Sequence, residues 1–257
     1  MPVRDTERLT LIISLPQNTT HEGKLGVDLL YTQVLEQASD GVDISEEEFY
    51  SGFKSVLGTV VLVFNPLSVR ALSDLLKVPS IPTILRSLHS LLLVPDQEKT
   101  GDPIQPFHKS FPDFLTDTTR CGGKWFFVEP KVHHVEVLLS CLRLMKERLK
   151  RNICNLDDHI ALSEVNDLST KKRDYIGDAL EYACQFWTKH LVEISGNNSQ
   201  NKEIEKAIDE FFTTGLLYWI EVLVITGNLD IGVYAMNDVD QWYASVSASQ
   251  TICWDLY

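Results

Sequence analysis

Residues 45–94, SEEEFYSGFKSVLGTVVLVFNPLSVRALSDLLKVPSIPTILRSLHSLLLV, decide how the chain folds. Ser45-Glu46-Glu47-Glu48 has the form of a capping box, in which Ser45 accepts from the third helical amide and Glu48 reaches back. Behind it, Phe49, Phe53, Val56, Leu57, Val60 and Phe64 recur at helical spacing, and Pro66 ends the helix they define. Ser68 can cap a second, shorter helix that carries Val69, Leu72, Leu75 and Leu76. Pro79-Ser80 breaks the chain, and Ile81, Ile84, Leu85, Leu88 and Leu92 mark a third helix.

The rhythm then changes. Leu91–Val94 and Ile104–Phe107 read as short strands around the polar turn Asp96–Asp102, and Phe126–Val128 reads as another. Three short helices followed by a β-wing is the winged-helix plan, placed at residues 45–131. Upstream, 1–44 holds a linker and one amphipathic helix, 25–38, with Leu25, Leu29, Leu30, Val34 and Ala38 near one face. Downstream, 132–257 reads as a helical domain. Pro130 introduces a helix over 132–150, striped by Val135, Leu138, Leu139, Leu142, Met145 and Leu149. A polar connector over 151–173 follows. Further helices are predicted near 175–194, 202–226 and 231–246, with Ser195–Asn201 as a loop and Ser247–Tyr257 as a tail without periodicity. The fold class is therefore mainly α: a winged helix with a short wing, then a helical bundle.

Composition limits the function classes. The 257 residues, 44% hydrophobic and 23% charged, suffice for a real core without disulfides or metal. A net charge of −13, from 23 basic against 36 acidic residues, repels phosphate backbones and anionic lipid. Cys121, Cys141, Cys154, Cys184 and Cys253 are odd in number and form no CxxC pair, the usage expected of reduced thiols. The short Leu9–Leu15 apolar run follows charged residues and lacks a cleavage site, so no signal peptide is read, and Val56–Phe64 is half a membrane span. A cytoplasmic location is expected. Asn18-Thr19-Thr20 is a sequon by pattern only.

Several constellations bear on chemistry. The third helix of a winged helix can enter a DNA groove, but Ile81–Leu92 offers only Arg86 and His89, so a winged-helix nucleic-acid-binding regulator is the alternative reading and protein packing the preferred one. His133 and His134 project about 100° apart on a helix and cannot readily share an ion; with Cys141, Cys184 and His190 they match no zinc spacing, and helix-surface histidines with buried thiols are expected. A Cys121/His134 nucleophile pair lacks an elbow and an orienting group. Gly52-Phe53-Lys54-Ser55 and Gly122-Gly123-Lys124-Trp125 fall short of a phosphate-binding loop, so no nucleotide hydrolysis by this chain alone is expected. Arg143, Lys146, Arg148, Lys150 and Arg151, with Lys171-Lys172-Arg173, read first as dipole-favouring and solubilising cations and second as a docking face.

An ordered set of strings carries a resemblance. Glu22-Gly23-Lys24-Leu25-Gly26-Val27-Asp28-Leu29-Leu30-Tyr31, then Val56–Val61 with Pro66-Leu67-Ser68, then Ser87-Leu88-His89-Ser90 leading to Val94-Pro95-Asp96, resemble the region after the nucleotide domain of fungal NACHT-type (STAND, NLR-like) signal-transduction ATPases. His108-Lys109-Ser110-Phe111-Pro112-Asp113-Phe114-Leu115 is similar to the family's H-x-S-F-x-[DE]-F winged-helix motif. Leu142-x-x-Met145, Asn152-Ile153-Cys154 and Tyr182–Trp187 with His190-Leu191 also look like the fungal subfamily. The resemblance runs from about Arg8 to about Val246.

What it implies is a non-enzymatic regulatory fragment of an innate-immunity-like switch. In the family the winged-helix histidine, matched here by His108, reaches the β-phosphate of ADP and helps hold the closed state; a bond from His108 to a nearby backbone carbonyl is the plainer alternative. Ser110 and Asp113 are expected to cap the short Phe111–Leu115 helix. No cofactor is implied for the chain alone, and ADP or ATP only through a nucleotide domain supplied in cis or trans. Implied partners are such a domain or a second copy, with neither membrane nor nucleic acid. Met1–Glu7 reads as a substituted start and Ser247–Tyr257 as an abrupt end, consistent with a truncated product or a short form acting in trans.

Overall fold

A computed structural model describes residues 21–38, 46–78, 81–95, 101–157, 159, 161–194 and 200–254. Helices α1 (His21–Glu36), α2 (Glu46–Leu62), α3 (Val69–Leu76) and α4 (Ile81–Ser87) precede the strands β1 (Leu92–Leu93) and β2 (Gln105–Pro106). The strands pair antiparallel, Leu92 opposite Pro106 and Leu93 opposite Gln105. Then come α5 (Ser110–Thr116), α6 (Thr118–Cys121), α7 (Pro130–Arg148) and α8 (Leu168–Lys171), a π turn over Lys172–Ile176, and α9 (Gly177–Glu193). The chain finishes on α10 (Asn201–Thr214), α11 (Leu216–Thr226) and α12 (Leu229–Trp254). It is mainly helical, with a single two-stranded sheet among the described residues.

Local chemistry explains the element starts. Ser68 sits in extended geometry and its hydroxyl accepts from the Ala71 amide at 3.2 Å, which satisfies one of the orphan donors of α3. Pro130 opens α7, where its missing N–H costs nothing and its fixed φ suits the first turn. The capping box at Ser45 lies outside the described residues.

Helix α7 organises the rest. His133, His134, Val135, Val137, Leu138, Cys141, Leu142, Leu144 and Met145 are all buried. At 100° per residue they cover about 200° of its circumference, far wider than a surface stripe. Helices α2 and α3 pack against it, and so do α9 and α10. The buried side chains form one continuous cluster from Leu35 to Val246. One contact in it is unusually close. A Cβ at Gly58 of α2 would lie 2.6 Å from Nδ1 of His133, so only glycine lets the imidazole lie flat on the helix backbone. Gly58→Ala is expected to destabilise the fold by about 1–3 kcal/mol from overpacking, against a propensity gain of roughly 1 kcal/mol. Urea denaturation followed by circular dichroism checks the sign; a stabilised variant contradicts it.

Four expectations change. The third helix stops at Ser87, because the chain turns through Leu88–Leu91 to bring Leu92 and Leu93 into the sheet. Phe126–Val128 is not a strand; its only ladder-like bond is the Val128 amide to the Leu115 carbonyl. The helix read over 202–226 divides at Gly215, where a Cβ would lie 3.2 Å from the Phe211 ring and 3.3 Å from its carbonyl. The last helix runs on to Trp254 instead of ending near Val246.

Candidate functional site

His108 lies just beyond β2, at the corner where the sheet hands over to α5. The Phe107 amide donates to the Leu91 carbonyl at 3.0 Å and pins the chain to the sheet. On the other side, Phe111, Phe114 and Leu115 are buried and fix α5. The ring of Tyr31, on α1, packs edge-on against Phe111 at 5.1 Å and tilted against Phe114 at 5.4 Å. That contact carries the Tyr31 hydroxyl to within 2.9 Å of Ser110 Oγ, which is in turn 2.8 Å from Nδ1 of His108.

The backbone assigns the protons. The Ser110 amide donates to Nδ1 at 3.1 Å. An amide can only donate, so in the neutral ring Nδ1 is the acceptor and Nε2 bears the hydrogen. His108 is exposed, and its Nε2–H is a donor on an oriented ring. The backbone-carbonyl bond considered for His108 is not formed; an amide and a hydroxyl hold it instead. Ser110 does not cap α5 either: it is the first helical residue, and its hydroxyl is spent on Tyr31 and His108. Helix α1 is held over this corner by Arg120, whose guanidinium grips Asp28 with Nε–Oδ2 at 3.1 Å and Nη2–Oδ1 at 2.6 Å. Both side chains are mostly shielded, which makes this bidentate pair stronger than the exposed Lys124–Glu36 pair nearby.

A second polar cluster escaped the sequence reading. His133 and His134 are not surface histidines; they are 5% and 6% exposed. His133 donates from Nδ1 to Glu136 Oε2 at 3.0 Å. His134 Nδ1 lies 2.8 Å from Nδ1 of the fully buried His190, whose Nε2 lies 2.7 Å from the Tyr182 hydroxyl. The Tyr182 oxygen also accepts the Phe64 amide, and the Phe64 ring covers both imidazoles. With Tyr182 donating to His190 and His190 to His134, or with the order reversed, every bond is made by neutral groups. Burial, and then the neighbouring His134, pushes His190 down to about 3. Burial likewise lowers His134 and raises Tyr182. A readable signal existed: His190 falls on the apolar stripe of Ala183, Trp187 and Leu191, where a polar residue must find a partner.

The remaining candidates are placed elsewhere. Cys121, Cys141, Cys154 and Cys184 are free and buried; burial pushes Cys121 up to about 11 and raises the other three, so none is a ready thiolate. His134 is engaged by His190 and not by Cys121. Gly52–Ser55 lies inside α2, and Gly122-Gly123 forms a left-handed turn ending α6. Among the described residues no three His, Cys, Asp or Glu side chains are set to share a metal ion. The basic cluster is largely used internally. Arg143 donates to the Leu75 carbonyl, Arg148 to those of Tyr175 and Ile176, and Lys146 pairs with Glu210. Among the described residues no helix is long and apolar enough to cross a membrane.

Fold and corner together describe a mainly helical protein that presents a fixed imidazole N–H to solvent. Neither a protein-family model nor a solved structure matches it. The sequence is 25% identical over 243 residues to the vegetative incompatibility protein HET-E-1 of Podospora anserina, an alignment that covers 84% of this chain and 16% of that protein. This distant match supports the resemblance to fungal NACHT-type signalling proteins at the level of the family alone.

Proposed function

We propose that the chain is a non-catalytic regulatory and interaction element of a NACHT-type switch. In this reading residues 1–44 are a linker and helix, 45–131 a winged-helix domain and 132–257 a helical domain. The succession of α2, α3 and α4 followed by the β1–β2 pair supports the winged helix. His108 donates its Nε2–H to a phosphate oxygen of ADP held by a nucleotide domain supplied in cis or trans, and the chain alone takes no cofactor. One observation carries this: Ser110 occupies Nδ1 with a donor, which leaves Nε2–H as the outward group. A hydrogen bond to an anionic oxygen is the strong kind, and a protonated ring adds Coulomb attraction.

The test uses the full chain with the nucleotide domain of a relative, preloaded with a fluorescent ADP. His108→Ala is expected to speed ADP release about ten-fold or more, the equivalent of a charged hydrogen bond worth roughly 1.5–3 kcal/mol. Ser110→Ala, which removes the hydroxyl contact but keeps the amide bond to Nδ1, gives a smaller effect. An unchanged release rate in His108→Ala removes the role. A nucleic-acid reading is disfavoured, because α4 buries Ile81, Ile84 and Leu85 and the acidic chain offers its groove only Arg86 and His89.

A further inference from the structure

Helix α11, LLYWIEVLVIT, is apolar all round. One face is spent on the core through Trp219, Val222, Leu223 and Ile225. The opposite face is a ridge of Leu217, Ile220 and Val224 at helical spacing, with Leu217 75% exposed. The only charge on the helix does not serve solubility: the Glu221 carboxylate accepts the amides of Asn152 and Ile153, at 3.0 and 2.9 Å, and is thereby held to the side of the ridge. Gly232 of α12 packs on Leu223 and Trp219. The residues flanking Gly232 on α12, Leu229 and Val233, are exposed as well, Val233 by 73%, and extend the apolar area. Isolated exposed apolar residues need no explanation, but a contiguous ridge along one helix with neighbours on the next is the mark of an interaction site.

The charge around the ridge selects the occupant. From Ala207 to Tyr257 the sequence has no Lys, Arg or His, while it carries Asp209, Glu210, Glu221, Asp230, Asp238, Asp240 and Asp255. Asp230 and Asp240 stand exposed on α12, the helix packed against α11. At the far flank, past Glu221, the turn at Asn152 carries the exposed Lys150 and Arg151. A second copy would bring acidic α12 faces together in a chain already at −13. We infer that the α11 ridge is a docking face for an amphipathic helix of another protein, one whose Leu/Ile/Val ridge is bordered by Lys or Arg on the side that meets α12. Such a helix-on-helix contact takes its affinity from the apolar anchors and its orientation from the flanking charges. It is independent of the nucleotide reading of His108.

The full chain is titrated, by fluorescence anisotropy, with a synthetic helical peptide of about 20 residues. It has a leucine ridge, lysines on one flank and glutamines on the other. A control peptide has glutamate in place of each lysine. The expected result is binding with Kd near ~10⁻⁶ M, at least ten-fold weaker for the glutamate peptide and at least ten-fold weaker for the Leu217→Glu variant. That variant adds negative charge, so a merely electrostatic attraction for the lysine peptide would grow; only a role for the apolar ridge predicts loss. Leu217 is exposed, so its thermal unfolding should be unchanged, and a melt confirms it. Equal binding by Leu217→Glu, equal binding of both peptides, or no binding overturns the inference. So does micromolar self-association in sedimentation that Leu217→Glu abolishes, which would make a second copy the occupant.

Discussion

Acidification from pH 6.5 to pH 4.5 will cost the folded state about 2 kcal/mol through His190 alone, the slope approaching about 1.4 kcal/mol per pH unit below pH 6. His190 is fully buried between Tyr182 and His134, and burial depresses it to about 3. In the unfolded chain the same ring takes a proton near pH 6.5. Between those two values the unfolded state therefore holds more protons than the folded one, and stability falls as pH falls through the window; above it the contribution is complete. His134 is lowered by burial too and acts in the same direction. The acidic surface works the other way, because protonating carboxylates relieves repulsion in a chain of net −13. The clean measurement is thus the stability difference between the wild-type chain and His190→Asn, from urea curves at several pH values. That difference should shrink by about 1.4 kcal/mol for each unit below pH 6. A difference independent of pH would mean that His190 is not held neutral.

The second large effect is expected from Trp219. It is 1% exposed, lies edge-on to Trp187 at 6.2 Å and to Phe211 at 5.7 Å, and donates Nε1–H to the Cys184 carbonyl at 2.9 Å. One ring therefore joins α9, α10 and α11. Trp219→Ala removes all of these contacts and leaves a cavity, at a cost of about 3–5 kcal/mol. Trp219→Phe keeps much of the volume and loses the hydrogen bond, which costs about 1–2 kcal/mol. Guanidinium unfolding followed by far-ultraviolet circular dichroism separates the two. Equal losses would show that the hydrogen bond, not the packing, holds the bundle.

What was legible in the sequence follows the range of the forces. Ser68 and Pro130 act on amides within three residues, and both elements begin where those residues indicate. The apolar period located α2, α7 and α9 within a few residues, since burial on one face is a local pattern. Where neighbours in space decide, the reading failed. Leu88–Leu92 continues a helical stripe, yet strand pairing with Gln105 and Pro106 ends the helix early. Gly215 looks tolerable inside a helix until Phe211 crowds it. At the candidate site, the His108–Ser110 contact spans two residues and could be read, but its third member, Tyr31, is 79 residues from Ser110. The His134–His190 bond spans 56 residues and was missed for the same reason.

The breadth of the buried surface on α7 has a consequence for motion. This helix is a party wall: Gly58 and the Leu75 carbonyl meet it through His133 and Arg143, while His190 meets it through His134. Should the two halves of the molecule ever part, the wall must leave whole with one tenant or the other. A partial opening on either side strands buried nitrogen or oxygen atoms before water can reach them. Partial openings along either side of this wall are therefore the costliest positions, and the two sides are expected to hold or release as whole faces.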